Sequence, residues 1–343
     1  MNGARLLVPL APLYGAGVSL RLALYRAGLL RVRRAPRPVI SVGNVAAGGA
    51  GKTPFVRWLA GALLARGERP AILTRGYRRE SRGLVVVSDG AGTLAPVASS
   101  GDEPALLARA LPRVPVVADT DRFRAAQRVL EIAPDVTLFL LDDGFSHVGL
   151  LRDADVVLLD ATVPDAGGAL LPAGRLREPL ASLARADLIV VTRAEQANPA
   201  PALALAARHA PGVPVFHAET ETLGIRDSAG ETVPPGKLRA APFVAVAGLA
   251  RPAVFVETLR SLGLVPAAFL PFRDHVRYGT AEIGRIVREA EASGAEAVVA
   301  TEKDGVKLES VCPLPLFTVA VRMPVVEPGF LGDLLALVSR RPS

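Results

Sequence analysis

A single cysteine, Cys312, stands in 343 residues. One thiol allows neither an intrachain disulfide nor a Cys-x-x-Cys metal knuckle, so the chain suits a reducing compartment. Four scattered histidines add no zinc-ligand spacing. Lysine is almost missing, with four beside 36 arginines, and aromatics make up 5% of the residues. Acids are absent from the first 38 residues, which carry Arg5, Arg21, Arg26, Arg31, Arg33, Arg34 and Arg37. The 40 basic residues less these seven leaves 33, equal to the 33 acidic ones, so the body of the chain is neutral. A nucleic-acid binder carries its basic face on the folded body, and none is expected here. No run of about 20 uninterrupted apolar residues exists, which argues against a membrane-spanning helix. Between Leu6 and Leu30 the arm is apolar but broken by Pro9, Pro12, Arg21 and Arg26. Most of its charge follows the apolar stretch, the reverse of a secretory signal. Residues 1–37 therefore read as a helix lying in a bilayer interface, its arginines level with anionic headgroups.

Half of the residues are hydrophobic, ample for a core. After Pro38 short apolar strands alternate with helices. The strands are expected at Val39–Val45, Pro70–Thr74, Leu84–Ser88, Val114–Ala118, Val136–Leu141, Val156–Asp160 and Leu188–Thr192. Helices are expected at Pro54–Arg66, Glu103–Ala110 and Arg122–Ile132. This order indicates an α/β/α domain with a mostly parallel sheet, spanning residues 38–219. Residues 220–240 lose the pattern and read as a linker, with a hairpin around Ser228–Gly230. A smaller α/β domain follows over residues 241–343. It has strands at Phe243–Ala247, Ala297–Thr301 and Leu316–Val321, helices at Pro252–Leu262 and Ala281–Ala292, and a terminal helix Gly329–Ser339.

The strongest chemical feature is VISVGNVAAGGAGKTPFVRWLA, residues 39–60. A β-branched strand enters a glycine-rich turn, then Lys52–Thr53, then a helix, the context a phosphate-binding P-loop requires. Backbone N–H groups of Gly48, Gly49, Ala50 and Gly51 would converge on phosphate oxygens at the helix N-terminus. Lys52 would reach the β- and γ-phosphates of ATP, and the Thr53 hydroxyl would bind Mg²⁺. Ala46 breaks the strict pattern, which asks for glycine there.

The strand Val136–Leu141 runs into Asp142–Asp143, where acids that hold Mg²⁺ sit in P-loop enzymes. The Asp-Asp-Gly sequence also suits a plain turn. Asp102 and Glu103 precede a helix, and by sequence physics Asp102 is a helix cap. A P-loop also serves switch ATPases and GTPases, which would consume nucleotide under the control of a protein and without a lipid acceptor.

Eight motifs follow in order: GNxxxGGxGKTP (43–54), TRGYRR (74–79), GDEP (101–104), DDGFxH (142–147), LLPAGRLREP (170–179), VAGLARP (246–252), Asp274–His275 with Tyr278, and TEKDGVKL (301–308). Together they resemble the tetraacyldisaccharide 4′-kinase family over nearly the whole chain. The resemblance implies two α/β/α domains joined by a two-stranded linker and an N-terminal helix docked on the cytoplasmic face of the inner membrane. It also implies Mg²⁺-dependent transfer of the ATP γ-phosphate to a lipid A disaccharide 1-phosphate, by a chain expected to be a monomer. By position it makes Lys52, Asp142 and Asp143 part of the catalytic centre. Thr53, Asp142, Asp143 and Glu178 become the metal's neighbours, and Arg177 lies beside the phosphates. Asp102 takes the place of the catalytic base, with His275 as its partner from the second domain. Ser146, Val148 and Val276 depart from the family pattern.

Overall fold

A computed structural model describes residues 10–340 and builds two sheets. The first has eight strands: β1 (Val39–Gly43), β2 (Pro70–Thr74), β3 (Val85–Asp89), β4 (Pro115–Ala118), β5 (Leu138–Asp142), β6 (Ala154–Asp160), β7 (Leu188–Thr192) and β8 (Val215–Ala218). They lie in the order β3-β4-β2-β5-β1-β6-β7-β8, and only β3–β4 is antiparallel. β1, β2, β5 and β7 are buried at every position. Helices cover both faces of such strands, which is why they read as unbroken apolar runs. Phe55, Val56, Leu59 and Leu63 of the Lys52–Ala65 helix fill one face. Ala125, Ala126 and Val129 of the Arg122–Ile132 helix fill the other. At about 1.5–3 kcal/mol for each large side chain buried, these faces hold the layers together.

The second sheet contains β9 (Glu221–Asp227), β10 (Thr232–Val233), β11 (Phe243–Ala247), β12 (Ala268–Pro271), β13 (Ala297–Thr301) and β14 (Leu316–Arg322). Its order is β10-β9-β14-β13-β11-β12. The last four strands in that order run parallel, and β9 is antiparallel to both β14 and β10.

The structure alters several expectations. In residues 220–240 β9 and β10 pair as a hairpin about Ser228–Gly230 that belongs to the second sheet, with β10 at its edge and β9 bonded along its length to β14. In β9 only Ile225 is buried, so the strand carries no apolar run for a sequence reading to find. The terminal helix, Phe330–Ser339, leaves the smaller unit and returns to the first sheet. Phe330, Leu334 and Val338 join that core, with the Phe330 ring against Phe55, Trp58 and Phe216. Helix Ala200–His209 and strands β8 and β12 have no counterpart in the pattern read above.

At the N-terminus a helix covers Leu10–Arg26, and residues 1–9 of the expected interface segment lie outside the described residues. Gly15 is its one buried residue, seated where a Cβ would stand 2.7 Å from a Leu170 methyl. Tyr14 donates to the Arg177 carbonyl at 3.1 Å. Leu13 (69% exposed) and Leu20 (61%) face outward. Among the described residues no helix is long and apolar enough to cross a membrane.

Candidate active site

β1 lies mid-sheet between β5 and β6, so its C-terminal end opens on a crevice between adjacent strand tips, where ligands bind in α/β sheets. The glycine-rich turn starts there. Gly51 adopts φ 78°, a left-handed conformation that favours glycine, and caps the helix that follows. A Cβ on Gly51 would also stand 2.6 Å from the Met323 methyl. That cap brings the helix start back to Lys52, two residues before the expected Pro54, and places Lys52 and Thr53 in its first turn. Ala46 has no positive φ and forms a bridge to Leu176, so the position has no need of glycine.

The turn is braced from outside. Ala47 N–H donates to the Arg175 carbonyl at 2.6 Å, and the Arg175 guanidinium donates back to the Ala47 carbonyl at 3.1 Å. Thr192 Oγ1 donates to the Ala50 carbonyl at 3.1 Å, and Arg193 to the Gly49 carbonyl at 2.7 Å. Asp160 holds Arg193 at 2.5 Å and also pairs at 2.7 Å with Arg251, which arrives from the second sheet. With its carbonyls engaged from behind, the turn keeps amides for anions on its other side.

Asp142 ends β5 fully enclosed, accepting from Thr74 Oγ1 at 3.3 Å. Burial first, and then Glu103 and Asp143, push its carboxyl up to about 7 against the pull of Lys52 and Thr74. Asp143 goes the opposite way. Burial acts to raise it, but Lys52 at 3.4 Å and Arg177 at 2.5 Å hold it well below the usual carboxylate range. Lys52 Nζ also donates to Asn44 Oδ1 at 3.0 Å. A divalent cation near Asp142 would supply countercharge that its neighbours withhold. Mg²⁺ is commonly held by one or two carboxylates together with nucleotide phosphates, so Asp142, Asp143 and the Thr53 hydroxyl fit such an ion. The four expected ligands do not form a preassembled cage: the buried Glu178 is paired with Arg185 at 2.5 Å. Among the described residues no group of three or more His, Cys, Asp or Glu side chains is placed to hold a metal alone.

Asp102 and His275 meet across the two sheets. Asp102 opens the Asp102–Ala110 helix, 7% exposed, and its Oδ1 accepts from the first-turn Glu103 N–H at 3.1 Å. The same carboxylate meets His275 Nδ1 at 3.0 Å through Oδ2. Lys307 and Lys303 approach the same carboxylate at 3.7 and 4.0 Å. Burial would raise its proton affinity, but the His275 hydrogen bond and the two lysines outweigh burial and bring it down to about 2. His275 sits at φ 59°, with the Tyr77 ring edge-on at 5.3 Å. The non-glycine residues Arg78, Asp143, Arg193 and His275 all hold left-handed backbone at this one site, a strain that surrounding contacts must maintain.

One cavity of about 800 Å³ joins these parts. Its walls include the turn from Gly48 to Thr53, Asp142, Asp143, Arg177, Glu178 and His275, as well as Tyr14, Val18 and Leu22 of the N-terminal helix. The sequence reading passed over Lys303, Glu103, Asp160, Arg193 and Arg251. Lys303 and Arg251 stand inside quoted motifs, and the scarcity of lysine was the available signal for Lys303.

Against known proteins, the Tetraacyldisaccharide-1-P 4'-kinase family, LpxK, matches residues 3–339. The chain belongs to this family. It is a kinase. A tetraacyldisaccharide 4'-kinase from Pelobacter propionicus is 42% identical, covering 96% of this chain and 91% of its own length. Another, from Anaeromyxobacter dehalogenans, is 46% identical over 90% of this chain and 82% of its own. The crystal structure of the "apo" form of LpxK from Aquifex aeolicus in complex with ATP shares 33% identity and a TM-score of 0.78, covering 98% of each chain. The expected fold, a P-loop α/β/α unit with a second α/β unit, agrees with that likeness.

Proposed function

We propose that this kinase moves the γ-phosphate of ATP to the 4′-hydroxyl of a tetraacyldisaccharide 1-phosphate, at the cytoplasmic face of the inner membrane. The observation that carries the reading is the Asp102–His275 pair, made from both sheets beside the cavity into which the P-loop opens. The amides of Gly48, Gly49, Gly51, Lys52 and Thr53 would cradle the β- and γ-phosphates, while the Ala50 N–H, also expected there, donates to the Gly48 carbonyl at 2.9 Å. Lys52 would leave Asn44 and Asp143 to follow the transferring group. Arg177 adds positive charge on the same side. Thr53, Asp142 and Asp143 would hold Mg²⁺, with Glu178 fixing Arg185; such an ion would supply charge neutralisation to the phosphates. Asp102 would accept the acceptor hydroxyl's hydrogen bond and aim its oxygen in line with phosphorus. A carboxylate of such low basicity takes the proton late, as the new O–P bond forms, which suits the loose transition state of phosphoryl transfer.

The acceptor class follows from the cavity mouth. Tyr14, Val18 and Leu22 line it, while Leu13 and Leu20 of the same helix face outward. An apolar helix that borders a phosphoryl-transfer site can lie in the bilayer interface and take in a lipid headgroup without extracting the acyl chains. The test is incubation with Mg·ATP and a disaccharide 1-phosphate lipid, with the product analysed for a second phosphate. The expected product carries it at the 4′ position. ATP hydrolysis at the same rate with and without lipid, and no bisphosphorylated lipid, would overturn the reading in favour of a switch ATPase.

A further inference from the structure

Lys303 is one of four lysines in the chain and occupies the first turn of the Glu302–Leu308 helix, which follows β13. Its ammonium stands 2.9 Å from Asp274, 3.5 Å from Glu103, 4.0 Å from Asp102 and 3.3 Å from His275 Nε2. The last contact fixes a proton. An ammonium has three donors and no acceptor, so a ring nitrogen facing it must present its lone pair. His275 Nδ1, on the other side of the ring, faces the Asp102 carboxylate at 3.0 Å, which accepts only. Both contacts are satisfied by one form of the ring: neutral, with its proton on Nδ1. Doubly protonated imidazole would set two cations 3.3 Å apart.

We propose that Lys303 is a positioning residue of the transfer reaction, holding His275 as the neutral Nδ1–H tautomer so that Asp102, already fixed by the Glu103 N–H, is oriented by a second donor toward the acceptor hydroxyl. The proposal rests on the role given above to Asp102 and His275. Its geometric basis is the span of Lys303 between sheets, with Glu103 and Asp102 on the helix of the first and Asp274 and His275 on a loop of the second. The charged groups around the ring are Asp102 and Glu103 from one helix, Lys303 and Lys307 from another, and Asp274 beside it, with Arg78 donating to the Asp274 carbonyl. The carboxylates in this set keep Lys303 charged: burial acts against the ammonium, but Glu103, Asp102 and Asp274 prevail and raise it to about 12. Without Lys303, Nε2 loses the donor that faces it and is free to carry the ring proton itself.

The experiment is ¹⁵N NMR of the imidazoles in the full-length, nucleotide-free protein at pH 7, with His275 assigned from its loss in His275→Gln. In the parent protein Nδ1 is expected in the protonated range and Nε2 in the bare range. In Lys303→Met, Nε2 moves toward the protonated range, and kcat falls about tenfold or more while the KM for ATP changes less than about threefold. Lys303→Gln, whose amide still donates to Nε2, retains the Nδ1–H tautomer and serves if the methionine variant fails to fold. A protonated Nε2 in the parent, or an unchanged ring in Lys303→Met, overturns the proposal. The NMR result stands apart from the assignment of catalytic roles, which fails separately if His275→Gln turns over at the parent rate.

Discussion

The two halves of the site differ in how they are built. The phosphate side is local: the turn from Gly48 to Gly51, Lys52 and Thr53 are contiguous, and Asp142 and Asp143 sit at the tip of β5, the strand next to β1. The acceptor side is assembled from a helix start at Asp102, a loop at Asp274–His275 and a helix at Lys303–Lys307, 201 positions apart from the first element to the last. The first half is a property of one sheet. The second is a property of the contact between two sheets, already made before any ligand binds.

Breaking each half in turn sharpens that contrast. The largest effects fall on groups that touch the reacting atoms: Lys52→Ala and Asp102→Ala should each lower kcat about 100-fold or more with the fold intact by circular dichroism. The two should differ in nucleotide affinity, with Lys52→Ala weakening ATP binding by calorimetry and Asp102→Ala leaving it nearly unchanged. His275→Ala, one step removed, should cost about tenfold to 100-fold in kcat with a smaller change in the KM for ATP.

A thermal effect separates the halves by sign. The folded-state pKa of Asp142 is raised to about 7 from 3.8, so its contribution to stability is present at low pH and lost as pH rises through about 7. Asp102, lowered to about 2, contributes stability above about 4 that is lost as pH falls through about 2. At pH 8 the nucleotide-free Asp142→Asn variant should therefore melt a few degrees above the parent, and Asp102→Asn below it. Mg·ATP should narrow the gap between Asp142→Asn and the parent by stabilising the ionised Asp142. Equal melting temperatures for Asp142→Asn and parent from pH 5 to pH 8 would contradict the under-compensated acid. The smallest effect is expected at the rim: Leu13→Ser with Leu20→Ser should reduce sedimentation with anionic vesicles several-fold and leave ATP affinity unchanged.

The same contrast governs what could be read from the chain alone. Interior strands such as β2 and β7 declare themselves because both of their faces are buried, and the P-loop declares itself because its geometry is contiguous. β9 is hard to see in the sequence because a strand with one buried residue has no apolar run, and only its turn residues mark the hairpin. The Phe330–Ser339 helix was counted with its chain neighbours, since periodicity shows an apolar face but not which sheet covers it. Asp102 reads as a helix-start acceptor on local grounds, and one of its oxygens does accept the Glu103 N–H, yet the other meets His275, 173 positions away. Only the ordered set of motifs pointed to that pair. Lys303 and the Arg193–Asp160–Arg251 chain depend on tertiary contacts for their meaning, so a motif or a rare residue type marks a position without showing its role.

The central claim, that one catalytic unit is shared between the sheets, is tested most directly by a double-mutant cycle on kcat with Asp102→Asn, His275→Ala and the combination. If the two side chains act as a unit, the double variant should be no slower than the slower single variant, within about threefold. Losses that multiply, so that the double variant is slower by the product of both singles, would show two independent contributions and contradict the account.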